Sequence, residues 1–255
     1  MIKIENTEVL GWEHAIRGMR NPMNSWARSD SHECDCSEYA AVRVLGDTAY
    51  KVFCQMYKAD HKPAKLCGGE AKRDFCIGKN DHALMMRLAK AGAEHAKYRR
   101  MIVVYADVTA PLYWWKEYDT YKVGTVANSC STMHKIAAKE FTLEDFSHEH
   151  LISDESIPTR VYSAKQMMEA TIENLNIFRN LYLQTKDKKY WWQIIQMLPS
   201  SYNQRRTVML NYEVLANIYR QRLNHKLDEW RDFCTWAEQL PYSELITGKE
   251  AETDE

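Results

Sequence analysis

Behind Ser163 and Gln166, apolar residues recur at Met168, Ile172, Leu175, Phe178 and Leu181. Steps of three and four residues keep one stripe of a helix apolar, and a Ser-x-x-Gln start is a capping box. A stripe this long must be covered by other elements. A second helix carries Leu227, Trp230, Phe233 and Ala237, and a third is expected at 81–91, with Asp81 as N-cap, Leu84 and Leu88 on one face, and Gly92 just past its end. The β-branched "MIVVYADV" reads as a strand, and the opening "MIKIENTEVLGWEHAIRGMRNP" as a short strand followed by a helical turn or two. From Asn24 to Gly78 the periodicity is weak, with strands expected around 41–44 and 50–57. The expected fold class is α+β, a single domain with a helical C-terminal half.

The 255 residues suffice for a substantial core. A formal charge of −1, from 34 basic and 35 acidic residues, gives no global pull toward nucleic acid or membrane. The short basic runs Arg205-Arg206 and 97–100 do not make a phosphate-binding track, so nucleic acid is not an expected partner. Seven cysteines without a signal-peptide pattern suit reduced thiols in a cytoplasm. No apolar run reaches the ~20 residues of a membrane span. The charged tail 248–255 is expected to be disordered, which leaves 1–247 as the domain.

The stretch "NYEVLANIYRQR", 211–222, poses a question. Read as one helix at ~100° per residue, it places Asn211 and Arg222 within about 20° of each other, on the stripe of Val214, Leu215 and Ile218 and ~16 Å apart. An amide and a guanidinium then terminate a buried face. Arg222 either snorkels to solvent or meets a ligand, and Asn211 either caps backbone or does the same.

"LPSSYNQRRTVMLNYEVLANIYRQR", Leu198 to Arg222, resembles without a gap the C-terminal helical segment of flavin-dependent (ThyX-type) thymidylate synthases. Leu198-Pro199, Arg205, Asn211, Leu215, Asn217 and Arg222 fall where that family has Leu-Pro, Arg, Asn, Leu, Asn and Arg. Upstream, "VTAPLYWWKEYDTYKVGTVANSCSTMHK" resembles the family's Ala-Pro strand end and its Arg-His-Arg-x-x-Ser-x-Asn-Glu-x-Ser-x-Arg signature. Thr120-Tyr121-Lys122 replaces Arg-His-Arg, and Thr125 replaces the first serine. Two registers serve the remainder. Without a gap, Asn128 takes the glutamate position and Cys130 the second serine; with one inserted residue, Asn128 and Ser131 keep the asparagine and serine. Neither restores the final arginine, where Thr132 or Met133 stands, and Ile195 lies near the place of a phosphate-contacting arginine. "HAIRGMR" and "LAKAGAEH" resemble two N-terminal helices of the family; of the motif that follows, Gly92 matches and His95 is a displaced candidate. Residues 25–78 then read as an insertion.

Other motifs have plainer readings. Lys116, Lys122, His134 and Lys135 bracket "VGTVANSCSTM", which is either an anion nest or a polar surface loop. Cys130 suits a small-residue slot better than a nucleophile's role. His32, Cys34 and Cys36 in "SHECDC" lack the Cys-x2-Cys spacing of a zinc site, so no metal is expected. "WWKEY" and "YWWQ" hold half of the eight tryptophans and suit core packing or a subunit interface, with ring stacking as the alternative. His148 and His150 are expected at the surface.

The resemblance implies a homotetramer with FAD and a deoxyuridylate-like pyrimidine nucleotide bound between subunits, in a cytoplasmic enzyme. It implies one-carbon transfer and reduction at C5, by methylation or hydroxymethylation, with a reduced nicotinamide and a methylene-folate as co-substrates. Arg222 would act catalytically on the ring. Lys116, Glu117, Lys122, Thr125, Asn128, Cys130, Ser131 and Arg205 would line the substrate site, and Tyr121, Lys122, Asn128, Asn211, Asn217, His225 and His95 the flavin site. The alternative is a non-catalytic nucleotide- or flavin-binding assembly module that kept the fold.

Overall fold

The structure is a computed structural model that describes residues 2–33, 75–153 and 162–249. Along the chain run β1 (Lys3–Leu10), α1 (Trp12–Arg20), β2 (His32–Glu33), β3 (Phe75–Cys76), α2 (Lys79–Lys90), β4 (Val103–Pro111), α3 (Leu112–Tyr118), β5 (Val126–Ser129), α4 (Thr132–Lys135), α5 (Ala164–Thr185), α6 (Lys188–Met197), β6 (Asn203–Asn211), α7 (Tyr212–Arg222), α8 (Asp228–Glu238) and α9 (Glu244–Thr247). The main sheet is antiparallel throughout, in the order β1-β4-β6-β5. Strands β4 and β6 pair from Val103 opposite Asn211 to Pro111 opposite Asn203.

Alternation along these two strands decides which face is covered. Val104, Ala106, Val108 and Ala110 of β4, with Val208 and Leu210 of β6, are buried and belong to the same core as Trp114, Trp115, Tyr118, Trp230 and Phe233. The tryptophans of "WWKEY" are thus core residues. Asp107, Thr207 and Asn128 lie opposite one another in register, and Arg205 joins Asp107 in an ion pair. A separate small core gathers Ile136, Phe141, Phe146, Leu175 and Ile194. Here α5 begins where the capping box places its start, because Ser163 and Gln166 bond reciprocally.

Two local expectations are corrected. The segment 198–222 is not helical throughout, since 203–211 forms β6. Thr207 and Val208 are β-branched, which favours an extended backbone, and β6 pairs with β4 on one side and β5 on the other. Nor is Asp81 an N-cap: α2 begins at Lys79 behind Gly78, and Asp81 is buried inside its first turn. The Asp30 carboxylate accepts from the backbone N–H of Asn80 and Asp81, so the cap comes from a distant segment. Cys34, Cys36, the strands expected at 41–44 and 50–57, and residues 250–255 of the tail lie outside the described residues. Among the described residues no helix is long and apolar enough to cross a membrane.

Candidate functional site

The end of α7 meets the end of α3. Trp114, Trp115 and Tyr118 bury one side of α3 in the core, which leaves Glu117 at the margin, facing α7 and α8. Arg222, the last residue of α7, places Nη1 2.8 Å from Glu117 Oε2. Its Nε–H donates to Tyr121 Oη at 2.9 Å, and its guanidinium lies over the Trp230 ring, 4.9 Å from the centroid. The Arg222 side chain is only 20% exposed, so it packs rather than snorkels.

Glu117 Oε2 is also held by Trp230, whose Nε1–H donates at 2.9 Å, and His225 Nε2 stands 3.6 Å away. His225 Nδ1 accepts from the Leu227 N–H, which places the ring proton on Nε2, toward Glu117. The network continues outward. Tyr121 O–H donates to Gln221 Oε1 at 2.9 Å, and Gln221 Nε2–H donates to Asn217 Oδ1 at 3.0 Å.

The turn after α3 packs on the start of α7. Asn211 ends β6 and caps α7 by accepting from the Val214 N–H at 3.0 Å. Because it stands outside the helix, its alignment with Arg222 on a helical stripe does not hold; the capping alternative does. Gly124, at φ +81°, lies so close that a Cβ there would stand 2.9 Å from Asn211 Nδ2 and 3.2 Å from Val214 Cγ2. Thr125 Oγ1–H donates to the Tyr121 carbonyl at 2.5 Å and braces the same turn.

A second group sits on β5 and β6. Asn128 lies opposite Thr207, the Cys130 N–H donates to the Arg205 carbonyl, and Ser131 caps the short α4 by accepting from the His134 N–H. Arg205 Nη2 is 2.8 Å from Asp107 Oδ2. Hydrogen bonds from Thr207, Asn6 and Arg205, with the Arg205 charge, hold the Asp107 carboxyl well below the usual carboxylate range against the opposing effect of burial.

No protein-family model matches the sequence, and no curated protein does. Solved structures match in fold. Thymidylate synthase X of Helicobacter pylori, crystallised with FAD and dUMP, is 12% identical over 97% of this chain and 98% of that chain, with a TM-score of 0.59. The UMP/dUMP methylase PolB of Streptomyces cacaoi, bound with 5-Br dUMP, is 14% identical over 97% of this chain and 95% of its own, with a TM-score of 0.51. The chain has the ThyX-type fold.

Within this fold the structure brings together Glu117, Tyr121, Arg222 and His225, reaches Asn217 through Gln221, and braces Asn211 and Thr125 beside them. Asn128, Cys130, Ser131 and Arg205 form the separate β5–β6 group, while Lys116, Lys122 and His95 are exposed. Trp230, Gln221 and Gly124 join this site without a sequence motif that marks them. The apolar spacing of Trp230 marks a core position and carries no sign that the indole N–H meets a carboxylate.

Tyr121, partly exposed, and the donors without a partner among the described residues, Asn211 Nδ2 and Arg222 Nη2, are of a kind that suits a planar heterocycle with carbonyl acceptors, whereas Trp230 is fully buried beneath Arg222. Two open clefts, of about 510 and 600 Å³, include no residue of the cluster.

Proposed function

We propose that the protein is a flavin-dependent enzyme acting at C5 of a deoxyuridylate-like pyrimidine, by methylation or hydroxymethylation. The observation that carries this reading is the convergence of Glu117 and Tyr121 with Arg222 and His225 on the ThyX-type fold. The solved structures with this fold were crystallised with FAD and dUMP or with 5-Br dUMP. Bound FAD, reduced by a nicotinamide, supplies the hydride, and a methylene-folate supplies the carbon.

The chain's own groups orient and polarise. Arg222 donates from its free Nη2 edge to a ring carbonyl and stabilises the negative charge that develops there, an electrostatic role that needs no enzyme nucleophile. Asn211, Asn217 and His225 orient the flavin, and Lys116 and Lys122 meet phosphate from the exposed side. A second copy completes the pocket, as the family resemblance implies, and the assembly is a homotetramer in the cytoplasm.

The test is a flavin spectrum of the purified protein, light scattering, and release of tritium from C5 of labelled deoxyuridine monophosphate in the presence of FAD and both co-substrates. Bound flavin, a tetramer and tritium release are expected. A colourless monomer that neither takes up FAD nor releases tritium overturns the reading. The alternative, a non-catalytic module, draws on the absence of arginine at Thr120 and Ile195; flavin or nucleotide binding without tritium release would favour it.

A further inference from the structure

We infer that Glu117 is a positioning residue that tunes Arg222 to an uncharged ring acceptor and against a free anion. The inference rests on the reading of Arg222 as a pyrimidine contact and adds to it what the neighbouring carboxylate does.

Three of the guanidinium's surroundings are fixed by the protein. Nε is bonded to Tyr121, Nη1 to Glu117, and one face lies over Trp230. A planar fork held at two nitrogens and on a face offers incoming groups its remaining edge, Nη2, in a set direction. Glu117 is itself anchored independently of Arg222, because Trp230 Nε1 on α8 donates to the same Oε2 at 2.9 Å. Loss of Glu117 therefore removes one of the three restraints on the fork, whereas loss of Arg222 leaves the carboxylate in place.

The pair also decides what the edge attracts. With opposite charges 2.8 Å apart, an anion at Nη2 about 4 Å from the guanidinium and about 7 Å from the carboxylate has roughly half its attraction cancelled by 1/r alone. A neutral carbonyl forms its hydrogen bond to the same edge with no such opposing charge. His225 Nε2, 3.6 Å from Glu117 Oε2, and Tyr121 Oη, bonded to Arg222 Nε, also face the pair. Glu117 thus makes Arg222 a reader of the base rather than of phosphate.

The experiment compares the full-length parent, Glu117→Gln and Glu117→Ala, each checked for native circular dichroism, by calorimetry with deoxyuridine, its monophosphate, inorganic phosphate and pyrophosphate at two salt concentrations. Glu117→Gln keeps an acceptor for Trp230 and removes the charge, so its affinity for pyrophosphate should rise about tenfold, with a new salt dependence, while deoxyuridine affinity stays within about threefold. Glu117→Ala removes the restraint at Nη1 and should weaken deoxyuridine binding about ten- to a hundredfold, the range of one charge-assisted hydrogen bond. A role confined to folding would not invert the preference between a neutral nucleoside and an anion. An unchanged ratio of pyrophosphate to deoxyuridine affinity in Glu117→Gln overturns the inference and leaves nucleotide binding by the parent intact. A parent that binds neither deoxyuridine nor its monophosphate overturns the reading of Arg222, and this inference with it.

Discussion

Asp81 supports the N-terminal side of the domain through a single buried carboxylate. Its Oδ1 lies 2.5 Å from Arg20 Nε, and its Oδ2 accepts from Ser29 Oγ and Ser31 Oγ, both at 2.7 Å, and from the backbone N–H of Asp30 and Ser31. Both charged side chains are almost fully buried. Asp81→Ala would leave a buried guanidinium unpaired and four donors without their acceptor. Removing one partner of a buried pair costs about 3–5 kcal/mol, and water entering beside Ser29 and Ser31 offsets part of the donors' loss, so we take about 4 kcal/mol in all. At roughly 2–4 °C per kcal/mol for a chain of this size, the midpoint should fall by about 8–16 °C. Burial pushes the Asp81 carboxyl up, but hydrogen bonds from Ser29, Ser31 and Arg20, with the Arg20 charge, outweigh it and leave the pKa below its ordinary value. A depressed folded pKa gives stability that is fully present above the unfolded value near 3.9 and is lost as pH falls through the folded one. The acid limb of the stability curve below about pH 4 should therefore be shallower in the variant. Urea unfolding of the parent, Asp81→Ala, Arg20→Met and the double variant, repeated across pH, supplies the assay. A loss below about 1 kcal/mol, or single effects that add to within about 0.5 kcal/mol, would refute the reasoning.

Gly124→Ala should destabilise by about 2–3 kcal/mol, from left-handed backbone strain and displacement of the Asn211 cap; urea midpoints within error of the parent would contradict this. Cys234 is buried, and burial pushes its thiol up to about 11, whereas Cys130 is exposed. Iodoacetamide at pH 8 followed by peptide mapping should modify Cys130 in the native protein and Cys234 only after unfolding, and equal labelling of the two would refute the packing around α8.

Elements whose determinants are local were legible in advance. The capping box and the apolar spacing behind Ser163 lie within one stretch of chain, and they describe α5 as it stands. Strand β6 was not, although Val208 and Leu210 do alternate with Thr207 and Met209. What makes that run a strand is β4, a segment distant in sequence, and its last residue, Asn211, caps the helix that follows, which blurs the boundary by eye. Asp81 failed for a related reason. An aspartate ahead of periodic leucines satisfies the local rule for an N-cap, yet the Asp30 carboxylate holds that helix start from 50 and 51 residues away.

The candidate site divides along the same physical line. Residue types are legible one by one, and the resemblance points to Glu117, Tyr121, Arg222 and His225 separately. Their mutual effect is not, because pairing across 101 positions, as between Tyr121 and Arg222, has no trace in spacing. The omission matters chemically. A helix-end arginine taken alone is a cation ready for phosphate, but with a carboxylate 2.8 Å away and an indole beneath it, the same side chain becomes a directed donor of small net charge. The near balance of 34 basic against 35 acidic residues is compatible with either state. Which anion stands beside which cation, rather than how many of each the chain holds, determines whether this face of the molecule recognises a charge or a ring.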